Sequence, residues 1–99
     1  MVRKVLVVDD EEGFTKLLKM NLEKTGQYEV RIENESTNAL SAAHEFLPDV
    51  VLLDIVMPGM DGGDVAAKMQ DDPMLRQIPV IMMTALVSQE ETSQDAVAQ

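Results

Sequence analysis

The pattern of apolar and polar residues changes several times along this chain, and each change marks a predicted element. Residues 4–8, 49–54 and 79–84 are short, mostly apolar runs, as expected for strands covered on both faces. Residues 28–32 alternate between apolar and polar side chains instead. This alternation predicts a half-exposed strand near an edge of a sheet.

Between the first two strands the apolar residues recur at helical spacing. This spacing predicts a helix over residues 11–25, and Glu11 and Glu12 in its first turn suit the positive end of the helix dipole. Gly26 is a typical C-terminal stop. The positions predicted to face inward are Phe14, Leu17, Leu18 and Leu22.

A second helix is predicted over residues 37–47, between the alternating strand and the next apolar run. Ser36 suits its N-cap, because a serine hydroxyl accepts a hydrogen bond from a free backbone N–H, and Pro48 ends the helix. The predicted inward positions are Leu40, Ala43 and Leu47.

Two more helices complete the pattern. The third is predicted to start at Asp61 or Gly62 and to end near Asp72, and a weakly amphipathic fourth covers residues 89–97. One side of the third helix is predicted to carry Val65, Ala66 and Met69.

Strands and helices therefore alternate along the whole chain, an order typical of βαβ units. Such units build a parallel sheet with helices on both faces, so the predicted fold class is α/β. The 99 residues are enough for one domain, and the apolar content of 45% is ordinary for a globular protein.

Composition narrows the classes of function. The formal net charge of −10 argues against direct binding to nucleic acid or to an anionic membrane surface. The chain has no cysteine, which excludes disulfides and cysteine-ligated zinc. No apolar run is long enough to span a membrane, and the N-terminal residues lack a signal-peptide core, so we expect a cytoplasmic protein.

Carboxylates and one hydroxyl lie where the predicted strands end. Asp9 and Asp10 follow the first strand, Asp54 ends the third strand, and Thr84 ends the fourth. The second strand offers nothing comparable. In open α/β sheets the functional site lies outside the carboxyl ends of the strands, so we expect these side chains to meet at one edge.

Three neighbouring carboxylates need a cation, a basic side chain or a raised pKa. Like charges about 4 Å apart repel by roughly 4 kcal/mol at an effective dielectric of about 20. Oxygen ligands suit a hard ion, and Mg²⁺ is favoured over Ca²⁺ because the site offers few fixed ligands. Each aspartate alone could simply cap a helix or end a strand.

At these residues the chain resembles the receiver domains of response regulators in two-component signalling. The resemblance lies in VLVVDDEE (residues 5–12), VVLLDIVMPGMDG (residues 50–62) and PVIMMTA (residues 79–85). It implies a flavodoxin-like, doubly wound parallel sheet with strand order 2-1-3-4-5.

The resemblance also implies a role for each site residue. Asp54 would be the phosphoacceptor, which receives a phosphoryl group from a sensor histidine kinase or a histidine phosphotransfer protein. Mg²⁺ would be held by Asp9, Asp10, Asp54 and the backbone carbonyl of Val56. The hydroxyl of Thr84 would bind the arriving phosphoryl group. The domain would act as a switch rather than as an enzyme with turnover.

The chain departs from the family pattern after Thr84. In the family a fifth strand ends in a lysine that contacts the acceptor carboxylate, and a fifth helix follows. Residues 85–99 are too few for another helix and strand, so we expect a single domain over residues 1–99 that is incomplete at its C-terminal end.

Three explanations for the missing strand remain open: truncation, a strand supplied by a partner or by a second copy of the chain, and a short receiver that has lost chemistry. All three leave residues 79–84 as an exposed apolar edge in the isolated chain. We therefore expect this chain to be unstable alone or to associate.

Three other functions are alternatives. A receiver-like interaction module without phosphorylation would fit the absent lysine. A phosphatase with an Asp-x-Asp nucleophile does not fit Asp9 and Asp10, which are adjacent, or the Ile-Val that follows Asp54. A flavin mononucleotide site needs a glycine- and hydroxyl-rich phosphate loop, whereas residues 9–13 are DDEEG.

Overall fold

The structure is a computed structural model, and it describes residues 1–83. Strands and helices alternate along this part of the chain as predicted. They are β1 (Arg3–Val8), α1 (Glu12–Lys24), β2 (Tyr28–Glu33), α2 (Ala39–Phe46), β3 (Val50–Asp54), α3 (Gly62–Asp71) and β4 (Val80–Met83). The predicted helix over residues 89–97 lies outside the described residues, as does Thr84.

The strands form a parallel sheet in the order β2-β1-β3-β4. β1 lies between its two neighbours, so that Val5 pairs with Val30 on one side and with Val50 on the other. The alternating strand β2 occupies an edge, as its sequence pattern predicted. The central strands β1 and β3 each carry four consecutive apolar residues, as expected for strands covered on both faces.

The sheet separates two apolar clusters. On one face Leu6, Val8, Val51 and Leu53 pack against α2 and α3. The residues that these two helices bury there are Ala39, Ala42, Ala43, Val65 and Met69. On the other face the valines of β1 and β2 pack against α1. The four-stranded sheet is thus the middle layer of an α/β sandwich.

Helix α1 packs with only part of the predicted face: Leu18 and Leu22 lie against the core as expected, but Phe14 and Leu17 do not. Phe14 and Leu17 were expected to point inward, but they are 43% and 57% exposed. The buried stripe runs through Thr15, which is fully buried, and continues along Leu18 and Leu22, which pack against the valine cluster. The helix is rotated toward β2, so the apolar residues on its other flank remain at the surface.

The start and end of α2 also differ from the prediction. Ser36 does not cap the helix with its side chain, since it begins a 3₁₀ turn over Ser36–Asn38 that precedes α2. Leu47 was expected to face inward, but it is 48% exposed and adopts a left-handed conformation with φ 48° at the C-cap. A left-handed residue at this position redirects the chain away from the helix axis, which carries the side chain out of the core.

Strand β4 forms the other edge of the sheet within residues 1–83, and its side chains Ile81 and Met82 are 54% and 42% exposed. Helix α3 begins as predicted, with Asp61 as its N-cap: the side chain accepts a hydrogen bond from the Asp64 backbone N–H at 3.0 Å. None of the helices in this part of the chain is long and apolar enough to cross a membrane.

Candidate functional site

The pairing of β1 with β3 brings the predicted aspartates to one edge of the sheet. Val8, the last residue of β1, pairs with Leu53, and the next residue in each strand is an aspartate: Asp9 and Asp54. Because the strands are parallel, both carboxylates lie at the carboxyl end of the sheet. Asp10 follows directly, so two adjacent strands supply the three acidic side chains.

The three side chains form a compact cluster. One carboxylate oxygen from each of Asp9, Asp10 and Asp54 lies within 4.8 Å of the others. Asp9 and Asp54 are each only 6% exposed, whereas Asp10 is open to solvent. Oxygen donors at this spacing fit a hard divalent cation such as Mg²⁺, which takes one or two carboxylates and completes its shell with waters. The open side at Asp10 leaves room for those waters.

Burial and mutual repulsion raise the pKa of two of these carboxyl groups. For Asp9 the main cause is burial, and the charges of Asp54, Asp10 and Glu11 add to it. The Glu11 backbone N–H, which donates to Asp9 Oδ1 at 2.9 Å, acts in the opposite direction. These groups are therefore costly to ionise together, and a bound cation would offset that cost.

The pKa of Asp54 is raised as well, first by burial and then by the charge of Asp10. The Val56 backbone N–H opposes this effect through a long hydrogen bond of 3.4 Å to Asp54 Oδ1. Val56 itself is 67% exposed, so the chain leaves the core directly after the aspartate. The role of the Val56 carbonyl as a metal ligand stays a prediction, because only its N–H is placed against the site.

The loop over residues 55–61 turns away from the carboxylate and is anchored at several points. Met57 is buried at 6% exposure against the core, and Gly59 has a positive φ of 86°. At the far end of the loop, the Gly62 N–H donates to the Ile55 carbonyl at 2.8 Å. The loop is thus closed on itself around the start of α3.

Gly62 is a glycine because the backbone of β3 passes directly against it. A Cβ built on Gly62 would collide with the Asp54 carbonyl oxygen and would lie 2.8 Å from the Ile55 Cα. The first turn of α3 therefore packs directly on the backbone that carries the central carboxylate.

Two site-supporting residues were not anticipated, and both follow β2, the strand that was expected to contribute nothing. Asn34 donates from Nδ2 to the Asp9 carbonyl at 2.8 Å, and the Ser36 hydroxyl donates to the Pro58 carbonyl at 2.9 Å. The sequence signal was weak: two short polar side chains in a connection that is expected to be polar in any case.

Comparison with known proteins agrees with this geometry. The profile of the response regulator receiver domain matches residues 5–99 of the chain. The chain belongs to this family. The predicted fold is confirmed by the parallel sheet in the order β2-β1-β3-β4, and receiver domains of response regulators operate in two-component signalling.

Individual relatives and structures show the same likeness. The receiver domain is 46% identical to the response regulator PleD of Caulobacter vibrioides over 86 aligned residues. The aligned region covers 87% of this chain and 19% of PleD. This chain therefore corresponds to about a fifth of that relative's length. The N-terminal domain of a response regulator receiver protein from Methanoculleus marisnigri matches with TM-score 0.80 and 26% identity, covering 100% of this chain and 99% of that chain.

A second solved structure is that of the phosphorylated cyanobacterial phytochrome response regulator RcpA. It matches this receiver domain with TM-score 0.76 and 26% identity, and the match covers 93% of this chain and 71% of that chain.

Proposed function

We propose that Asp54 is the phosphoacceptor of a signalling switch and that it receives a phosphoryl group from a sensor histidine kinase or a histidine phosphotransfer protein. Asp9, Asp10 and Asp54, with the Val56 carbonyl, are proposed to hold Mg²⁺. The domain changes state once per phosphorylation, so it is proposed to be a switch and not an enzyme with turnover.

The observation that carries the proposal is the position of Asp54. It is the last residue of a central strand, it is 6% exposed, and two further carboxylates lie within 4.8 Å of it. The strand fixes the carboxylate, and the exposed Asp10 marks the solvent-facing side from which a donor would approach. The phosphorylated state of RcpA, a receiver of similar fold, is consistent with this reading.

The chemistry assigned to Asp54 is nucleophilic. An Asp54 carboxylate oxygen forms a bond to phosphorus while the bond between phosphorus and the donor's histidine nitrogen breaks, and that nitrogen keeps the electron pair. When bound, Mg²⁺ supplies charge neutralisation between the phosphoryl oxygens and the acidic cluster. The Val56 N–H, 3.4 Å from Asp54 Oδ1, orients the carboxylate.

Thr84 is proposed to donate a hydrogen bond to the phosphoryl group and so to report its arrival. It lies outside the described residues, and this role stays a prediction. The new charge would bias an equilibrium between two states of the domain, as other phosphorylation switches do.

The proposal is tested by incubating the protein with acetyl phosphate and Mg²⁺ and measuring its intact mass. We expect one phosphoryl adduct that is abolished by Asp54→Asn and retained by the control Asp71→Asn, which alters an exposed aspartate at the end of α3. Chelation of Mg²⁺ should also prevent the adduct.

Binding of Mg²⁺ without an adduct would contradict the phosphoacceptor proposal and favour a receiver-like interaction module. An adduct that persists in Asp54→Asn would assign the phosphoacceptor to another residue.

A further inference from the structure

The connection from β2 to α2 contacts both of the loops that form the acidic site. From its first part, Asn34 Nδ2 donates to the Asp9 carbonyl at 2.8 Å and to Thr15 Oγ1 at 3.1 Å. Two residues later, Ser36 Oγ donates to the Pro58 carbonyl at 2.9 Å. One short segment thus holds the loop of the acidic pair and the loop that follows Asp54.

On the acidic-pair side, the contact is built into the core. Thr15 is fully buried, and its hydroxyl donates to the Glu12 carbonyl at 3.1 Å, which leaves its oxygen free to accept from Asn34. The Asn34 amide therefore joins the Asp9 backbone to the first turn of α1. An amide with two fixed acceptors is held in one rotamer, so it restrains the position of Asp9.

On the other side, Ser36 is only 4% exposed and makes two hydrogen bonds to the loop over residues 55–61. Besides donating to Pro58, its oxygen accepts from the Met60 N–H at 3.1 Å. The Met60 N–H also donates to the Pro58 carbonyl at 3.1 Å. Ser36, Pro58 and Met60 are therefore joined by three hydrogen bonds at the turn. Gly59 lies in the same turn, and a Cβ there would be 3.5 Å from Ser36 Oγ.

We infer that Asn34 and Ser36 are positioning residues that together form a brace between the two loops of the proposed Mg²⁺ site. The inference deepens the proposed function and rests on it. Three carboxylates within 4.8 Å repel one another when ionised, and this repulsion acts to separate the segment of Asp9 and Asp10 from the end of β3 and the loop that follows it. The brace opposes that separation, so the carboxylate oxygens stay at a spacing that a cation can bridge without reorganisation.

The test compares Ser36→Ala and Asn34→Ala with wild type, using Mg²⁺ titrations of the ¹⁵N-labelled protein followed by NMR. We expect each variant to bind Mg²⁺ about two- to ten-fold more weakly, the range that follows from losing one or two net hydrogen bonds. The matched control is Thr37→Ala, which removes the hydroxyl of the exposed neighbour of Ser36 and should leave the affinity unchanged.

Ser36→Thr keeps the hydroxyl and should restore binding toward the wild-type affinity, which separates the hydrogen bonds from simple filling of space. The same spectra report whether each variant is folded, and thermal melts record its stability. A lower melting temperature with an unchanged Mg²⁺ affinity would overturn the brace and leave Asn34 and Ser36 as structural residues only.

Failure of the brace is distinguishable from failure of the proposed function. If wild-type protein binds no Mg²⁺, the proposed metal site is wrong, and the brace fails with it. If wild type binds Mg²⁺ and both alanine variants bind it equally well, only the brace is wrong.

Discussion

At the scale of single residues, the absence of one side chain at Gly62 is as important to the site as the presence of the aspartates. The Cα of Gly62 rests on the backbone of Asp54 and Ile55, and the Gly62 N–H donates to the Ile55 carbonyl at 2.8 Å. Any Cβ at this position must displace the backbone of a buried strand, which cannot move as a flexible side chain could. The position of the acceptor carboxylate therefore depends on a residue eight positions away.

We expect Gly62→Ala to destabilise the fold by about 1–3 kcal/mol, the usual range for overpacking, and to weaken Mg²⁺ binding because the end of β3 shifts. Urea unfolding and a Mg²⁺ titration measure the two effects. Gly13→Ala is the matched control, since a Cβ at Gly13 has nothing within 4 Å and a helix favours alanine over glycine by about 0.5–1 kcal/mol. Equal stability of Gly62→Ala and wild type would refute the close contact.

At the scale of elements, α1 protects the open edge of β2. Val30 pairs by register with Val5, but its own N–H and carbonyl are taken by side chains of α1. Glu23 Oε2 accepts from the Val30 N–H at 2.9 Å, and Lys19 Nζ donates to the Val30 carbonyl at 3.0 Å. Edge strands with free backbone groups can pair with other chains, and these two charged side chains occupy the groups that such pairing needs.

Glu23→Ala should free the Val30 N–H and cost about 0.5–1.5 kcal/mol, the net value of one hydrogen bond. The direct measurement is amide hydrogen exchange, in which we expect the Val30 N–H to exchange faster while the central strand β1 changes little. Asn21→Ala, at an exposed position of the same helix, is the control and should leave Val30 unaffected. If the Val30 N–H exchanges at the same rate in Glu23→Ala as in wild type, the Glu23 carboxylate does not protect the backbone of this edge strand.

At the scale of the whole molecule, the cluster of aspartates affects how the stability of the folded domain depends on pH. Burial first, and repulsion second, raises the pKa of Asp9 and of Asp54 above the usual 3.8. A group whose pKa is raised by folding stabilises the folded state fully below its unfolded pKa, and this contribution is lost as the pH rises through the folded value. Without a cation, ionisation of these two groups therefore destabilises the domain toward neutral pH.

We expect Asp54→Asn to be more stable than wild type at pH 7 without Mg²⁺, because one buried charge that is repelled by its neighbours is removed. The difference should shrink as the pH falls toward about 4, because carboxyl groups with raised pKa values take up protons in the folded wild type above the ordinary carboxyl range. Thermal melts across pH measure it, with Asp71→Asn as the exposed control.

Added Mg²⁺ should reverse the order, since a ligand that binds only the folded state stabilises it by about 2.7 kcal/mol at 100 times its Kd. A difference between Asp54→Asn and wild type that is independent of both pH and Mg²⁺ would contradict this electrostatic account.

Much of the architecture was readable from local patterns. The order of strands and helices follows from apolar periodicity, which depends on neighbouring residues alone, and the bounds of β1, β3 and α3 agree closely with the predicted segments. The three aspartates could be assigned to one site because parallel strands present their carboxyl ends at the same edge. The motifs that resemble the receiver family, in residues 5–12, 50–62 and 79–85, include the ends of these strands.

What the sequence determined by itself was therefore the alternation of elements and the residue types at the strand ends. Only the tertiary structure decided how α1 is rotated, so that Thr15 is buried while Phe14 is 43% exposed. It also decided that Ser36 reaches Pro58 across 22 residues of sequence instead of capping its own helix. These outcomes depend on which surfaces meet when the helices pack on the sheet, and local periodicity contains no information about residues that are distant along the chain.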